Sequence, residues 1–269
     1  MSESNRKYDA PAAGATLEIL EFMVDNPDSR GPTELARQLG LTANMTFRIL
    51  NVLIERGYVE KDSAGNCRLT ANLLALGMKC QRNFDLRRCA HPWLEELACE
   101  TLESVQMQIP DGDRMLQFDF VAPPMPFYIV VSVGSRVYWH CNAFGRAVVA
   151  FLPEEKQKQI LALPTPQLNV HTICDKKLLQ EELQKIRCSY CASEFEEYLL
   201  GNYCIASPVF NAVSEVVAAV GITGLTSRLD PESLPDLRQK VLNCANKVSH
   251  AIGYKEVYPE KNIYQELLK

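Results

Sequence analysis

The stretch from Thr33 to Leu69, TELARQLGLTANMTFRILNVLIERGYVEKDSAGNCRL, constrains the fold more than any other. Pro32 suits a first helical position, and Glu34 suits the positive end of a helix dipole. Gly40 ends that helix and permits a tight turn. Thr42 then caps a second helix over residues 43–56. At 100° per residue, Met45, Thr46, Ile49, Leu50, Val52 and Leu53 fall on one side, while Asn44, Phe47, Arg48 and Asn51 point the other way. Gly57 closes the helix, and residues 58–61 and 67–70 read as a hairpin around the turn 62–66. Upstream, residues 13–25 carry a helical stripe of Leu17, Leu20 and Val24, with Ile19 and Met23 adjoining, and Asn26-Pro27-Asp28 stops it.

Helix, helix-turn-helix and hairpin in that order describe a winged helix-turn-helix, which places one helix in a DNA groove. The outward face suits that use. Asparagine pairs adenine bidentately, arginine pairs guanine or phosphate, and an aromatic edge touches a thymine methyl. Lys61 and Arg68 stand where a wing reaches phosphate. The candidate DNA-binding set is Thr33, Thr42, Asn44, Phe47, Arg48, Asn51, Lys61 and Arg68. The bland alternative is an amphipathic helix with one exposed aromatic, or a winged helix used for protein interaction without DNA.

The rest of the chain reads as an α+β domain. Residues 70–90 are helical with a weak point at Gly77, and a helix over 93–102 follows. Strands are expected over 104–109, 114–121, 127–131 and 136–140. Helices follow over 143–151, 153–163 and 176–187, then strands over 204–210 and 215–223 and a last helix over 231–253. Helices and hairpins separate along the chain, so a mainly antiparallel sheet is expected. The segment from His140 to Ala147 leads a strand into a helix, whose free N–H groups suit a carboxylate, with Gly145 and Ala147 allowing close approach.

Residues 17–77 resemble the DNA-binding domain of the IclR family of bacterial transcriptional regulators. The resemblance runs through TELARQLGL, Arg48-Ile49-Leu50, ERGYVEKD and RLTANLLALG. HPWLEEL, HCNAFGRAVVAFLPEEK and the run from Glu194 through GNYCIASPVF to AAVGITG resemble the family's effector-binding domain. Together they span residues 15–253. The resemblance implies a tail (1–12), a winged helix-turn-helix (13–77), a linker helix (78–90), a GAF-like effector domain (91–255) and a C-terminal tail (256–269). It implies a DNA operator, a small-molecule effector and a homodimer or tetramer. Carried over, the effector residues are Asn142, Ala143, Phe144, Gly145, Ala147, Glu194, Cys204, Gly221 and Thr223. Two positions depart from the family pattern. A common serine pair is Gly221 and Thr223 here, and a usual aspartate is Glu194. No lysine stands at Ala43 and Asn44, which points to a different operator sequence. Phe127, Tyr128 and Trp139 are candidate apolar walls.

Net charge is −5, but residues 29–70 hold six basic against four acidic side chains. The DNA-facing unit is thus locally positive, and its small surplus favours pairing two units. No apolar run approaches a membrane span, and the polar N-terminus is not a secretory signal, so the cytoplasm is expected. The ten cysteines are scattered singly, as reduced thiols would be. Cys188 and Cys191 form a lone C-x-x-C without a second ligand pair, so no metal is assigned. No G-x-S-x-G elbow, phosphate-cradling glycine loop or H-E-x-x-H occurs, and no spacing supports Cys204 with His140 or His171 as nucleophile and base. No cofactor and no enzymatic activity are expected.

Overall fold

The computed structural model describes residues 10–28, 30–82 and 85–259. Residues 1–9 and 260–269 of the expected tails, and residues 83–84 of the expected linker helix, lie outside them. The chain divides into two compact units, residues 1–84 and 85–269.

Unit 1 begins with α1 (Pro11–Asp25), whose end is held by the Asn26 side chain donating to the Phe22 carbonyl at 3.0 Å. α2 (Pro32–Gln38) and α3 (Ala43–Glu55) flank the turn at Gly40, which adopts φ +64°. The Thr42 hydroxyl accepts from the Met45 N–H at 3.3 Å and so caps α3. β1 (Val59–Lys61) and β2 (Cys67–Leu69) pair antiparallel. Their turn is pinned by Asp62, whose carboxylate accepts from the backbone N–H of Ala64 and Asn66, both at 2.9 Å. The core is Ala15, Ile19 and Met23 against Leu35, Ile49, Leu50, Leu53, Val59 and Cys67.

Two expected core assignments are corrected here. In α1 the buried stripe is Ala15-Ile19-Met23, at i, i+4 and i+8, and Leu17 and Val24 are exposed. In α3, Val52 is exposed. Both helices carry more apolar residues than one packed face accommodates.

Unit 2 starts earlier than the expected residue 91. α4 (Ala71–Arg82) precedes the division, and α5 (Leu86–Thr101) runs unbroken through His91, with Asp85 capping its first turn. Ala90 on α5 is fully buried in the unit 2 core. One six-stranded antiparallel sheet organises the unit. Its strands are β3 (Ser104–Asp111), β4 (Arg114–Val121), β5 (Arg136–Tyr138), β6 (Ala192–Phe195), β7 (Asn202–Phe210) and β8 (Val216–Leu225), in spatial order β5-β4-β3-β8-β7-β6. α6 (Ala143–Val149), α7 (Glu154–Ala162) and α8 (Lys176–Ser189) lie between β5 and β6 in sequence, and α9 (Leu234–Ala251) packs with α5 against the sheet.

Three further expectations change. Residues 127–131 form no strand. Pro123, Pro124 and Pro126 lead into them, and the segment is held instead by the Ser104 hydroxyl donating to the Ile129 carbonyl at 2.7 Å. β6, unread in the sequence, is short and among the described residues pairs only with β7. The C-terminal tail expected from residue 256 is not a tail as far as Tyr258, which is 4% exposed and donates to the Pro208 carbonyl at 2.6 Å. Tyr258 packs with Tyr190, Phe210 and Tyr254, and burying that much aromatic surface ties the segment down.

Candidate functional site

All eight candidate DNA-binding residues are exposed. Asn44, Phe47, Arg48 and Asn51 share the outer face of α3, opposite buried Thr46, Ile49, Leu50 and Leu53. Phe47 is 51% exposed, an unusual position for a phenylalanine on a solvent face. Thr33 stands in the first turn of α2. On the wing, Lys61 is exposed, whereas Arg68 is already paired with its cross-strand neighbour Glu60 at 2.5 Å. Its charge is therefore partly compensated before any phosphate arrives.

Unit 2 holds a cavity of about 260 Å³. One wall is the sheet. Gln106 and Gln108 of β3, Gln117 of β4, Cys204 of β7 and Thr223 of β8 all turn to it. The polar residues are linked. Asn142 Nδ2 donates to Gln108 Oε1 at 2.6 Å, and Gln108 Nε2 donates to Gln106 and Gln117, both at 3.1 Å. Gln106 Nε2 donates to the Thr223 hydroxyl at 2.6 Å, and that hydroxyl lies 3.2 Å from the Cys204 thiol. Gln117 Nε2 donates to the Asp119 carbonyl at 2.7 Å. The other wall is mostly apolar, with Ile129, Val130 and Val131 from the irregular segment, Val137 from β5 and Leu199, and it also includes Ser132, Ser135 and Tyr198.

Glu194 of β6 is 1% exposed and lines this cavity. Its Oε2 accepts from the Glu197 N–H at 3.0 Å, while Oε1 has no nitrogen or oxygen partner among the described residues; the thiol of Cys204, its cross-strand neighbour, is within hydrogen-bonding reach of the carboxyl. Burial pushes its pKa up to about 7. Asn202, 5% exposed, donates from Nδ2 to Cys204 Sγ at 3.6 Å, and its Oδ1 is likewise unpartnered. Burial also pushes the Cys204 thiol pKa well up, which argues against a reactive thiolate.

Of the carried-over effector residues, Asn142, Glu194, Cys204 and Thr223 line the cavity, and Ala143, Phe144, Gly145, Ala147 and Gly221 do not. Ala143, Phe144 and Ala147 are core residues, each fully buried. Gly145 serves packing rather than anion approach, because a Cβ there would meet the Trp139 carbonyl oxygen at 2.5 Å. A Cβ on Gly221 would meet the Ile205 carbonyl oxygen at 2.1 Å, so strand contact accounts for that glycine. The start of α6 is self-capped, since the Phe144 N–H donates to Asn142 Oδ1 at 3.1 Å. Arg146, the cation of that segment, is 1% exposed and consumed by Glu197, with one contact at 2.8 Å. At the expected cradle for a carboxylate, the Phe144 N–H and the Arg146 guanidinium are therefore already engaged within the protein. Phe127 is 79% exposed, Tyr128 is also exposed, and Trp139 is buried in the core; none lines the cavity.

The residues missed were the glutamines, Asn202 and the apolar wall. Gln106 and Gln108 are two apart on one strand, a spacing that reads as a solvent face, yet each is 4% exposed. Two buried glutamines on one strand face imply a polar cavity, and only the strand order reveals their burial.

A winged helix-turn-helix unit followed by an α+β unit with an internal polar cavity defines a DNA-binding regulator with a ligand-binding domain. Residues 15–63 match the IclR helix-turn-helix domain, and residues 78–250 match the bacterial transcriptional regulator IclR C-terminal domain. The chain belongs to the IclR family of bacterial transcriptional regulators. It is similar to the HTH-type transcriptional regulator KipR of Bacillus subtilis, with 30% identity over 89% of this chain and 96% of KipR. The transcriptional repressor IclR of Escherichia coli is 27% identical over 91% of this chain and 93% of that protein. The crystal structure of Thermotoga maritima IclR aligns with a TM-score of 0.61 at 27% identity, covering 90% of this chain and 98% of that one.

Proposed function

We propose that this regulator binds an operator as a pair of protomers in the cytoplasm, reading bases with Asn44, Phe47, Arg48 and Asn51 of α3. Thr33, Thr42, Lys61 and Arg68 hold the backbone. A small molecule in the unit 2 cavity sets operator affinity by binding two arrangements of the pair unequally. The chain acts by binding and not by catalysis. The observation that carries the DNA reading is the outer face of α3, where an aromatic, two amides and a guanidinium stand exposed together.

Fluorescence anisotropy on DNA upstream of its own gene and the neighbouring genes tests this. Arg48→Ala is expected to weaken operator binding by about 1–3 kcal/mol and to relax specificity at one position. Equal loss on operator and random DNA would instead make Arg48 a phosphate contact. An absence of salt-sensitive, sequence-selective binding would leave the winged helix as a protein-interaction module.

A further inference from the structure

We infer that the cavity of unit 2 takes an uncharged or cationic small molecule whose own N–H or O–H groups donate to Glu194 and Asn202, and not a carboxylate. This deepens the ligand-cavity reading above and rests on it.

Hydrogen-bond supply and demand in the wall carry the inference. Gln108 Nε2 spends both of its N–H donors within the wall, and Gln106, Gln117 and Asn142 spend one each. Against these, two acceptor oxygens, Glu194 Oε1 and Asn202 Oδ1, are buried in the same cavity without a nitrogen or oxygen partner. An unpaired buried acceptor is costly, and a donor from the ligand relieves that cost. Among the described residues, no lysine, arginine or histidine lines the cavity. Arg146, the nearest cation in the sequence segment, is spent on Glu197. Once Glu194 is ionised, a carboxylate placed here would meet a like charge and the Asn202 carbonyl oxygen with no compensating cation among the described lining residues. The opposite wall of Val130, Val131, Val137 and Leu199 suits an apolar body. The volume, below that of common drug-sized sites, limits the ligand to a small one.

Three probes on one carbon skeleton separate the chemistries: pentylamine, pentane-1,2-diol and pentanoate, each titrated into the full chain by calorimetry. The amine and the diol are expected to bind and pentanoate not to. The groups facing Glu194 are Cys204 from β7, Cys141 and Arg146 around the start of α6, and Glu197 from the following loop. Because burial keeps the Glu194 proton until about pH 7, amine binding is expected to strengthen as pH rises through that value. Glu194→Gln preserves shape and turns an N–H into the cavity. It is expected to weaken the amine at least about tenfold and to let pentanoate bind. A merely structural role for Glu194 would weaken all probes alike. Pentanoate binding to the wild type more tightly than either donor, and strengthening as pH falls, overturns the inference but leaves the cavity as the site. Failure of both the amine and the diol to bind also overturns it. Val137→Trp fills the apolar side; probe binding that survives it would overturn the cavity reading itself.

Discussion

Glu194 stands on β6 with its carboxyl under the protein surface, and its environment sets a stability signature as well as a ligand preference. The unfolded chain releases this proton near the ordinary glutamate value of ~4.3. The folded chain holds it to about pH 7. Between those values the folded state binds more protons, so stability falls as pH rises, and the full penalty is present above about pH 7. The window corresponds to roughly 3–4 kcal/mol. Urea denaturation at pH about 5 and about 8 is expected to show this loss in the wild type and much less of it in Glu194→Gln. An equal loss in both proteins would assign it to another buried group such as Glu103, whose pKa burial also raises. At this scale the sequence was only half legible. The acid before Glu196-Glu197 was found by family resemblance, and Asn142, Cys204 and Thr223 with it. Nothing local reveals that its second oxygen lacks a nitrogen or oxygen partner among the described residues, because that depends on Cys204 and Asn202 one strand away.

At the scale of elements, a bulge on β4 does what no residue pattern announces. The register against β3 shifts between Met107 and Gln108, so Met107 faces Asp119 while Gln108 faces Gln117. Gln117 and Asp119, two residues apart, are thereby turned to opposite faces of the sheet. Gln117 enters the cavity network. Asp119, fully buried, receives Arg87 at 2.9 Å and lies 2.7 Å from His91 Nδ1, both on the first turns of α5. The Gln117 side chain donates to the Asp119 carbonyl, so the cavity wall and the anchor of α5 share one short piece of backbone. Asp119→Asn is expected to cost about 1–3 kcal/mol and to speed amide exchange in the first two turns of α5, with β7 unchanged. Uniform acceleration through unit 2 would instead mean a global loss of stability. Helices and long strands were readable from periodicity and caps. The short β6 and the irregular 127–131 segment were not, since edge pairing and three nearby prolines decide them.

For the whole molecule, the thin positive charge of residues 29–70 and the Arg68–Glu60 pair leave one winged helix with little electrostatic hold on DNA. The proposed pairing of protomers offsets that by effective concentration. DNA carrying two sites is expected to bind about 10²-fold or more tighter than DNA carrying one. Inserting about 5 bp between the sites, half a helical turn, should remove most of the gain. Equal affinity for one-site and two-site DNA in gel shift would discard the pairing.

Local chemistry determined what the amino-acid sequence fixed by itself. The Thr42 cap, Gly40 and the 3.6-residue period suffice to place Asn44, Phe47, Arg48 and Asn51 on one exposed face, since all lie within a few turns of one helix. The cavity was decided by tertiary structure. Gln106 reaches Thr223 across 117 positions of sequence, Glu194 meets Cys204 only through the β6–β7 register, and Gln117 points inward only because β4 bulges. Which oxygen is left without a donor is a property of those distant pairings, and so the kind of molecule the cavity accepts is written in the sheet and not in any single segment.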